Sequence, residues 1–226
     1  MGGNVFKNSE PFRHEQIPAI AEYLNNLTRD LGVKMIPIGS NAVPTPGKVS
    51  GDYDAMIDER ALSFKFDIKD PKKIRHKLKE VFDSLGAETK LNSIAVHVNV
   101  PVDGHYYQAD VMVTPNATNI SKLHIHDIPI GSPYKGLNKH IALSVLAKRK
   151  GLLWSTYQGL YSRTAEDKRG YLITDDADQI AYLLLGPGST EKSLDCLENI
   201  LAAMLAVEAA DLLQHIREDP NWKEFA

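Results

Sequence analysis

Two carboxylates one residue apart, Asp52 and Asp54, lie in the run Gly51-Asp52-Tyr53-Asp54-Ala55-Met56-Ile57-Asp58. Alternate residues of a strand share a face. Both acids therefore point the same way, with α-carbons roughly 7 Å apart. Like charges on one face repel unless something positive lies between them, and a pair of divalent cations would meet that need. Upstream, Gly39-Ser40 closes a short apolar stretch. Glycine lets a backbone approach a ligand closely, serine adds a hydroxyl donor, and the N–H groups of such a turn form an anion cradle. A third acid, Asp110, sits inside Gln108-Ala109-Asp110-Val111-Met112-Val113, where a carboxylate is out of place for simple packing. A phosphate-binding turn beside a metal-binding acidic pair is what nucleotide chemistry requires.

These residues need a sheet to hold them. Val33 to Ile38 reads as a strand leading into Gly39-Ser40, and Asn41 to Gly51 as a loop, since it holds Pro44, Pro46 and Gly47. Lys48 in that loop reads as a solvated cation. Asp52 to Asp58 is the acidic strand, with Tyr53, Ala55 and Ile57 on its core face. Asp58 lies about 13 Å from Asp54 along a strand and is given a surface role. Ser93 to Val113 reads as a hairpin turning through Pro101-Val102-Asp103-Gly104. A tight turn there sets Ala95 opposite Asp110 and His97 opposite Gln108, so one polar face carries His97, Gln108 and Asp110.

Around the strands, the residues up to Arg13 read as a polar, unpatterned, mobile arm. His14 to Leu31 has helical spacing and stops at Gly32. Leu62 to Ile68 is a short apolar stretch. Asp70-Pro71 opens a helix with a stripe of Ile74, Leu78, Val81, Phe82 and Leu85. Its other faces carry Lys72, Lys73, Arg75, Lys77 and Lys79, read first as a solvated face and second as a track for a polyanion.

From Ser132 the pattern turns helical. One helix runs from Pro133 towards Gly151, with Lys135 and Lys139 a turn apart. Trp154, Tyr157, Leu160 and Tyr161 read as core. Gly186-Pro187-Gly188 lacks the lysine and spacing of a P-loop and reads as a cap, and Leu194 to Ile216 reads as one long helix. His124 and His126, with Asp127 adjacent, have no third ligand at a recognisable spacing and read as ordinary surface or core residues.

Lysine and arginine total 26 against 29 acids, a net charge of −3, so no overall basic field calls for nucleic acid. Cys196 is the single cysteine. It excludes an intrachain disulfide and reads as a buried thiol. With no signal-peptide pattern and no apolar run long enough for a bilayer, the expectation is a cytoplasmic protein with no membrane partner.

Strand, Gly39-Ser40, about a dozen residues, Asp52-x-Asp54, then a later strand bearing Asp110: together this resembles the DNA polymerase β-like nucleotidyltransferase superfamily. The resemblance implies an α+β fold, with a small mixed or antiparallel sheet flanked by helices and a helical companion domain behind it. The domains are expected at 1–130 (catalytic) and 131–226 (companion). In many members the Gly-Ser begins a short helix, whereas Pro44 and Pro46 allow at most a turn here. The resemblance further implies two-metal transfer of a nucleoside monophosphate from an NTP such as ATP to an acceptor hydroxyl. Asp52, Asp54 and Asp110 would hold Mg²⁺ or Mn²⁺, and Gly39 and Ser40 the terminal phosphates, with Lys135 or Lys139 touching the triphosphate. The acceptor could be an RNA or DNA 3′ end, a small molecule or a protein side chain, and the basic helix around Lys72 to Lys79 favours the nucleic-acid end slightly, against the acidic net charge. Two other readings compete: a non-catalytic nucleotide or nucleic-acid module on the same fold, and a structural protein whose acidic strand faces solvent.

Overall fold

The structure, a computed structural model, describes residues 5–125, 128–129, 132–166 and 168–220. The chain separates into two compact units, residues 1–121 and 122–226. Among the described residues no helix is long and apolar enough to cross a membrane. His126 and Asp127 lie outside the described residues.

The first unit is built on a five-stranded sheet. Its strands are β2 (Ile36–Pro37), β4 (Tyr53–Asp58), β5 (Glu88–Leu91), β6 (Ala95–Val102) and β7 (His105–Thr114), in the order β2-β4-β7-β6-β5. Only β4 and β7 run parallel; the other pairs are antiparallel. A separate two-stranded pair joins β1 (Phe12–Arg13) to β3 (Val49–Ser50). Helices α1 (Ile17–Thr28), α2 (Glu59–Phe66) and α3 (Pro71–Ser84) complete the unit, and α4 (Ala117–Lys122) runs to its boundary.

Period-2 alternation decides which face does what. Tyr53, Ala55, Ile57, Val96, Val98, Val100, Ala109 and Val111 join Ile20 and Leu24 of α1 and Ile74, Leu78 and Phe82 of α3 in one buried cluster. The opposite face of the same strands therefore carries Asp54, His97 and Asp110.

The hairpin is tighter than the sequence reading placed it. Its strands continue to Val102 and His105, and only Asp103 and Gly104 turn, with φ of 52° and 83°. Positive φ at both positions matches the twist of a two-residue hairpin, and Asp-Gly is suited to it. The register consequently moves by two residues: His97 faces Asp110, and Asn99 faces Gln108. A shift of two preserves the faces, so the polar grouping of His97, Gln108 and Asp110 survives.

Residues 5–13 are no mobile arm. Phe6 and Phe12 are buried, the Val5 amide donates to Gln108 Oε1 at 2.8 Å, and β1 is paired. Two aromatic side chains in a short polar stretch were enough to bury it. The apolar stretch near Leu62 is helix α2, capped by Asp58, whose Oδ1 accepts from the Ala61 amide at 2.8 Å while Oδ2 accepts from Ala117 at 3.1 Å. Asp70 caps α3 through the amides of Lys72 and Lys73, with Pro71 in the first turn.

The second unit contains α5 (Gly136–Arg149), α6 (Ala177–Leu185), α7 (Leu197–Ala202) and α8 (Ala206–Arg217). It also holds an antiparallel meander of β8 (Leu152–Ser155), β9 (Gly159–Arg163) and β10 (Arg169–Thr174). The expected long helix from Leu194 is interrupted: a 3₁₀ turn covers Glu191–Leu194, and α7 and α8 are separate. Cys196 is buried.

Candidate metal and phosphate site

Strand pairing brings the acids together. In the parallel β4–β7 ladder, Asp54 and Asp110 are direct partners, which sets them about one strand spacing apart, near 4.8 Å. Asp52 precedes β4 by one residue and has the same parity as Asp54. One oxygen from each of the three carboxylates lies within 4.8 Å of the others. Among the described residues no lysine or arginine pairs with any of them.

The electrostatic consequence is large. Burial first, then the charges of Asp52 and Asp110, pushes the Asp54 carboxyl up to about 8. Burial and the Asp110 charge raise Asp52 as well. Among the described residues these three half-buried carboxylates have no lysine or arginine partner, so negative charge is in excess at the site. Hard oxygen donors suit Mg²⁺ or Mn²⁺, so the donor set fits such an ion.

Asp110 is oriented from behind. Its Oδ1 accepts from His97 Nδ1 at 2.7 Å and from Gln108 Nε2 at 2.8 Å. Because an ionised carboxylate only accepts, His97 carries its proton on Nδ1. Both donors use Oδ1, which leaves Oδ2 available to a cation.

The Gly-Ser bend lies against this cluster. The Ile38 amide donates to the Asp54 carbonyl at 3.0 Å, extending the β2–β4 ladder by one bond. Gly39 has φ of +60°, and a Cβ there would sit 3.7 Å from Asp54 Oδ2. Gly39–Asn41 then forms a 3₁₀ turn, the short turn that Pro44 and Pro46 permit. The first N–H groups of such a turn have no acceptor within it. Ser40 Oγ lies 3.1 Å from Ser50 Oγ. Asn41 is buried, and neither polar atom of its amide has a partner among the described residues.

The two lysines of the second unit differ. Lys135 is half-buried at the N-cap of α5. Lys139 is 0 % exposed, with Nζ donating to the Asp195 carbonyl at 3.0 Å and the Ile125 carbonyl at 3.4 Å. Burial pulls its pKa down to about 8.

Two residues beside the bend carry no mark in the sequence: His14 lies at the start of a helical pattern and Ser50 in the proline-rich loop. The available signal was a polar residue beside buried Phe12 and a serine two positions before Asp52, which is too common a pattern to mark a site.

No family model matches the sequence, and no curated protein matches it. Among solved structures, the chain is similar to Leishmania infantum polymerase beta in a ternary P/T complex. The match has a TM-score of 0.51 at 14% identity and covers 83% of this chain and 78% of that chain. At that identity the likeness concerns the fold: this chain has an α+β architecture similar to that of polymerase beta.

Proposed function

We propose that the protein is a metal-dependent nucleotidyltransferase. The reading rests on one observation: three convergent carboxylates with no lysine or arginine partner among the described residues, set against a Gly-Ser bend. Asp52 and Asp54 would hold two divalent cations, and Asp110, steadied by His97 and Gln108, would be the third ligand. Gly39 and Ser40 hold the terminal phosphates of an NTP through backbone N–H groups and a hydroxyl. The bound cations supply a lowered pKa for the acceptor hydroxyl and neutralisation of charge on the leaving group. The acceptor hydroxyl would lose its proton to solvent, its oxygen would bond to the α-phosphorus, the bridge to the β-phosphate would break, and pyrophosphate would leave.

In this reading residues 1–121 form the catalytic unit and residues 122–226 its companion. Of the two lysines the resemblance offers for phosphate contact, Lys135 stays a candidate, while Lys139, wholly buried on carbonyl oxygens, has a structural task.

A nucleic-acid 3′ end is the favoured acceptor. Lys72 and Lys73 on α3 are exposed, and the polymerase of similar fold is described in a P/T complex. The support from α3 is narrower than its composition suggests, because the helix packs on the sheet face opposite the acids, and Lys77 pairs with Glu80 and Lys79 with Asp83.

The test is incubation with each labelled NTP and Mg²⁺ or Mn²⁺, offering RNA, DNA and cell extract as acceptors. Label transfer is expected with wild-type protein and is expected to vanish in Asp54→Asn. Transfer that survives Asp54→Asn sinks the assignment. Cation-dependent NTP binding without transfer to any acceptor supports the non-catalytic module.

A further inference from the structure

The bend at Ser40 is tied to the N-terminal segment through a line of hydrogen bonds. His14 is 2 % exposed. Its Nδ1 accepts from the Thr45 amide at 3.0 Å, and a backbone N–H can only donate. Nδ1 is therefore the lone-pair nitrogen, and the proton of the neutral ring lies on Nε2. Nε2 lies 2.9 Å from Ser50 Oγ, so the ring donates to that hydroxyl. Ser50 Oγ lies in turn 3.1 Å from Ser40 Oγ. When an anion at the bend draws the Ser40 hydrogen, the Ser50 hydrogen is the one left to bridge the two oxygens.

The backbone around the ring is fixed on both sides. The His14 amide donates to the Lys48 carbonyl at 2.9 Å, the Gly47 amide donates to Glu15 Oε1 at 2.8 Å, and β1 pairs with β3. Burial, followed by the Lys48 charge, holds the His14 pKa below its ordinary value, so the ring is neutral at neutral pH.

We propose that His14 and Ser50 are positioning residues that aim the Ser40 hydroxyl as a donor to the bound phosphate, by a one-way chain from the Thr45 amide through His14, Ser50 and Ser40. Every donor in the chain points the same way, and hydrogen bonds in such a series strengthen one another. The proposal rests on the reading that Gly39-Ser40 grips the triphosphate. It goes beyond it by naming two residues, distant in sequence, that touch neither metal nor phosphate.

Magnesium tripolyphosphate isolates the phosphate grip from any base preference. Its affinity should be measured by calorimetry for wild type, Ser40→Ala, Ser50→Ala, Ser50→Thr and the Ser40→Ala/Ser50→Ala pair, with Mn²⁺ affinity measured alongside. Loss of one hydrogen bond corresponds to about three- to tenfold in affinity. Ser50→Ala is expected to weaken tripolyphosphate binding by that factor with Mn²⁺ affinity unchanged, and Ser50→Thr, which keeps the hydroxyl, to restore it. Adding Ser50→Ala to Ser40→Ala is expected to cost nothing further, because the chain already lacks its last member. Wild-type affinity in Ser50→Ala, or simple additivity in the pair, overturns the chain while leaving the phosphate grip intact. A parallel fall in Mn²⁺ affinity assigns Ser50 to loop structure instead and also overturns it. No tripolyphosphate binding by wild type defeats the grip and the chain together, whereas the carboxylate site is judged separately by Asp54→Asn.

Discussion

Asp54 and Asp110 are direct partners across the one parallel strand pair of the sheet. Two carboxylates placed abreast, with Asp52 beside them, are held by the fold at a cost in electrostatic energy. In the metal-free protein, burial first and then their mutual repulsion raise the Asp54 pKa to about 8.

The first prediction follows from the sign of that shift. Between the ordinary carboxylate range and about 8 the native state keeps a proton that the unfolded chain has released. Metal-free stability therefore falls as pH rises through this window. Asp54→Asn removes the contribution. In EDTA at pH 8 the variant should melt higher than wild type, at about 2–4 °C for each kcal/mol of buried-charge and repulsion cost relieved. Mg²⁺ should raise the melting temperature of wild type and leave the variant unmoved. A variant that melts lower in EDTA contradicts the account of the site as carrying excess negative charge.

His97 steadies Asp110 through a 2.7 Å contact to Oδ1. Partners behind a metal ligand typically contribute roughly ten- to hundredfold to metal affinity or activity. His97→Ala should weaken Mn²⁺ binding by a factor in that range, with a smaller loss in Gln108→Leu. Equal affinity in wild type and His97→Ala, measured by Mn²⁺ titration, would show that Asp110 needs no such support.

Asp58 has a role separate from the cluster, because its two oxygens cap α2 and hold the Ala117 amide. Asp58→Ala should cost about 1–3 kcal/mol in urea unfolding. Its Mn²⁺ affinity should match wild type, and a large loss of metal binding would return Asp58 to the site.

His124 is expected to make the second unit sensitive to acid. Its Nε2 donates to the Thr156 carbonyl at 2.7 Å, and its ring stacks on Tyr157. Burial, with a smaller push from Lys139, lowers its pKa to about 4. From about pH 6.5 down to about 4 the unfolded chain takes up a proton that the native ring refuses. Stability contributed by the neutral ring is present above that window and is lost as pH falls through it, to a total of about 3 kcal/mol. Denaturant titrations from pH 7 to pH 4 should show this slope in wild type and a flatter one in His124→Phe. Identical slopes would clear His124 of the effect.

Local chemistry made much of the first unit readable. Asp70-Pro71 announced α3 because its cap and first turn are formed by neighbours in the chain. Tyr53, Ala55 and Ile57 announced their core face because a strand alternates regardless of what pairs with it. Even the misplaced hairpin register kept its polar face, since the error was an even number of residues. Features lacking such local marks were missed. Helices α7 and α8 part at Ala203–Leu205 with no proline or glycine to signal a stop. The meander β8–β10 has register irregularities that blur its alternation.

For the site, residue types and local spacing determined the acids and the bend: Asp52 with Asp54 on one face, Gly39 with Ser40 in a turn, and Asp110 as an acid among apolar neighbours. Only the tertiary structure decided that β7 lies parallel to β4, that Asp110 Oδ1 is taken by His97 and Gln108, and that Lys139 is buried on carbonyl oxygens. It alone brought His14 to Ser50. The physical reason is that alternation and turn chemistry act over a few residues, whereas strand partnership and burial depend on which distant segments exclude water together.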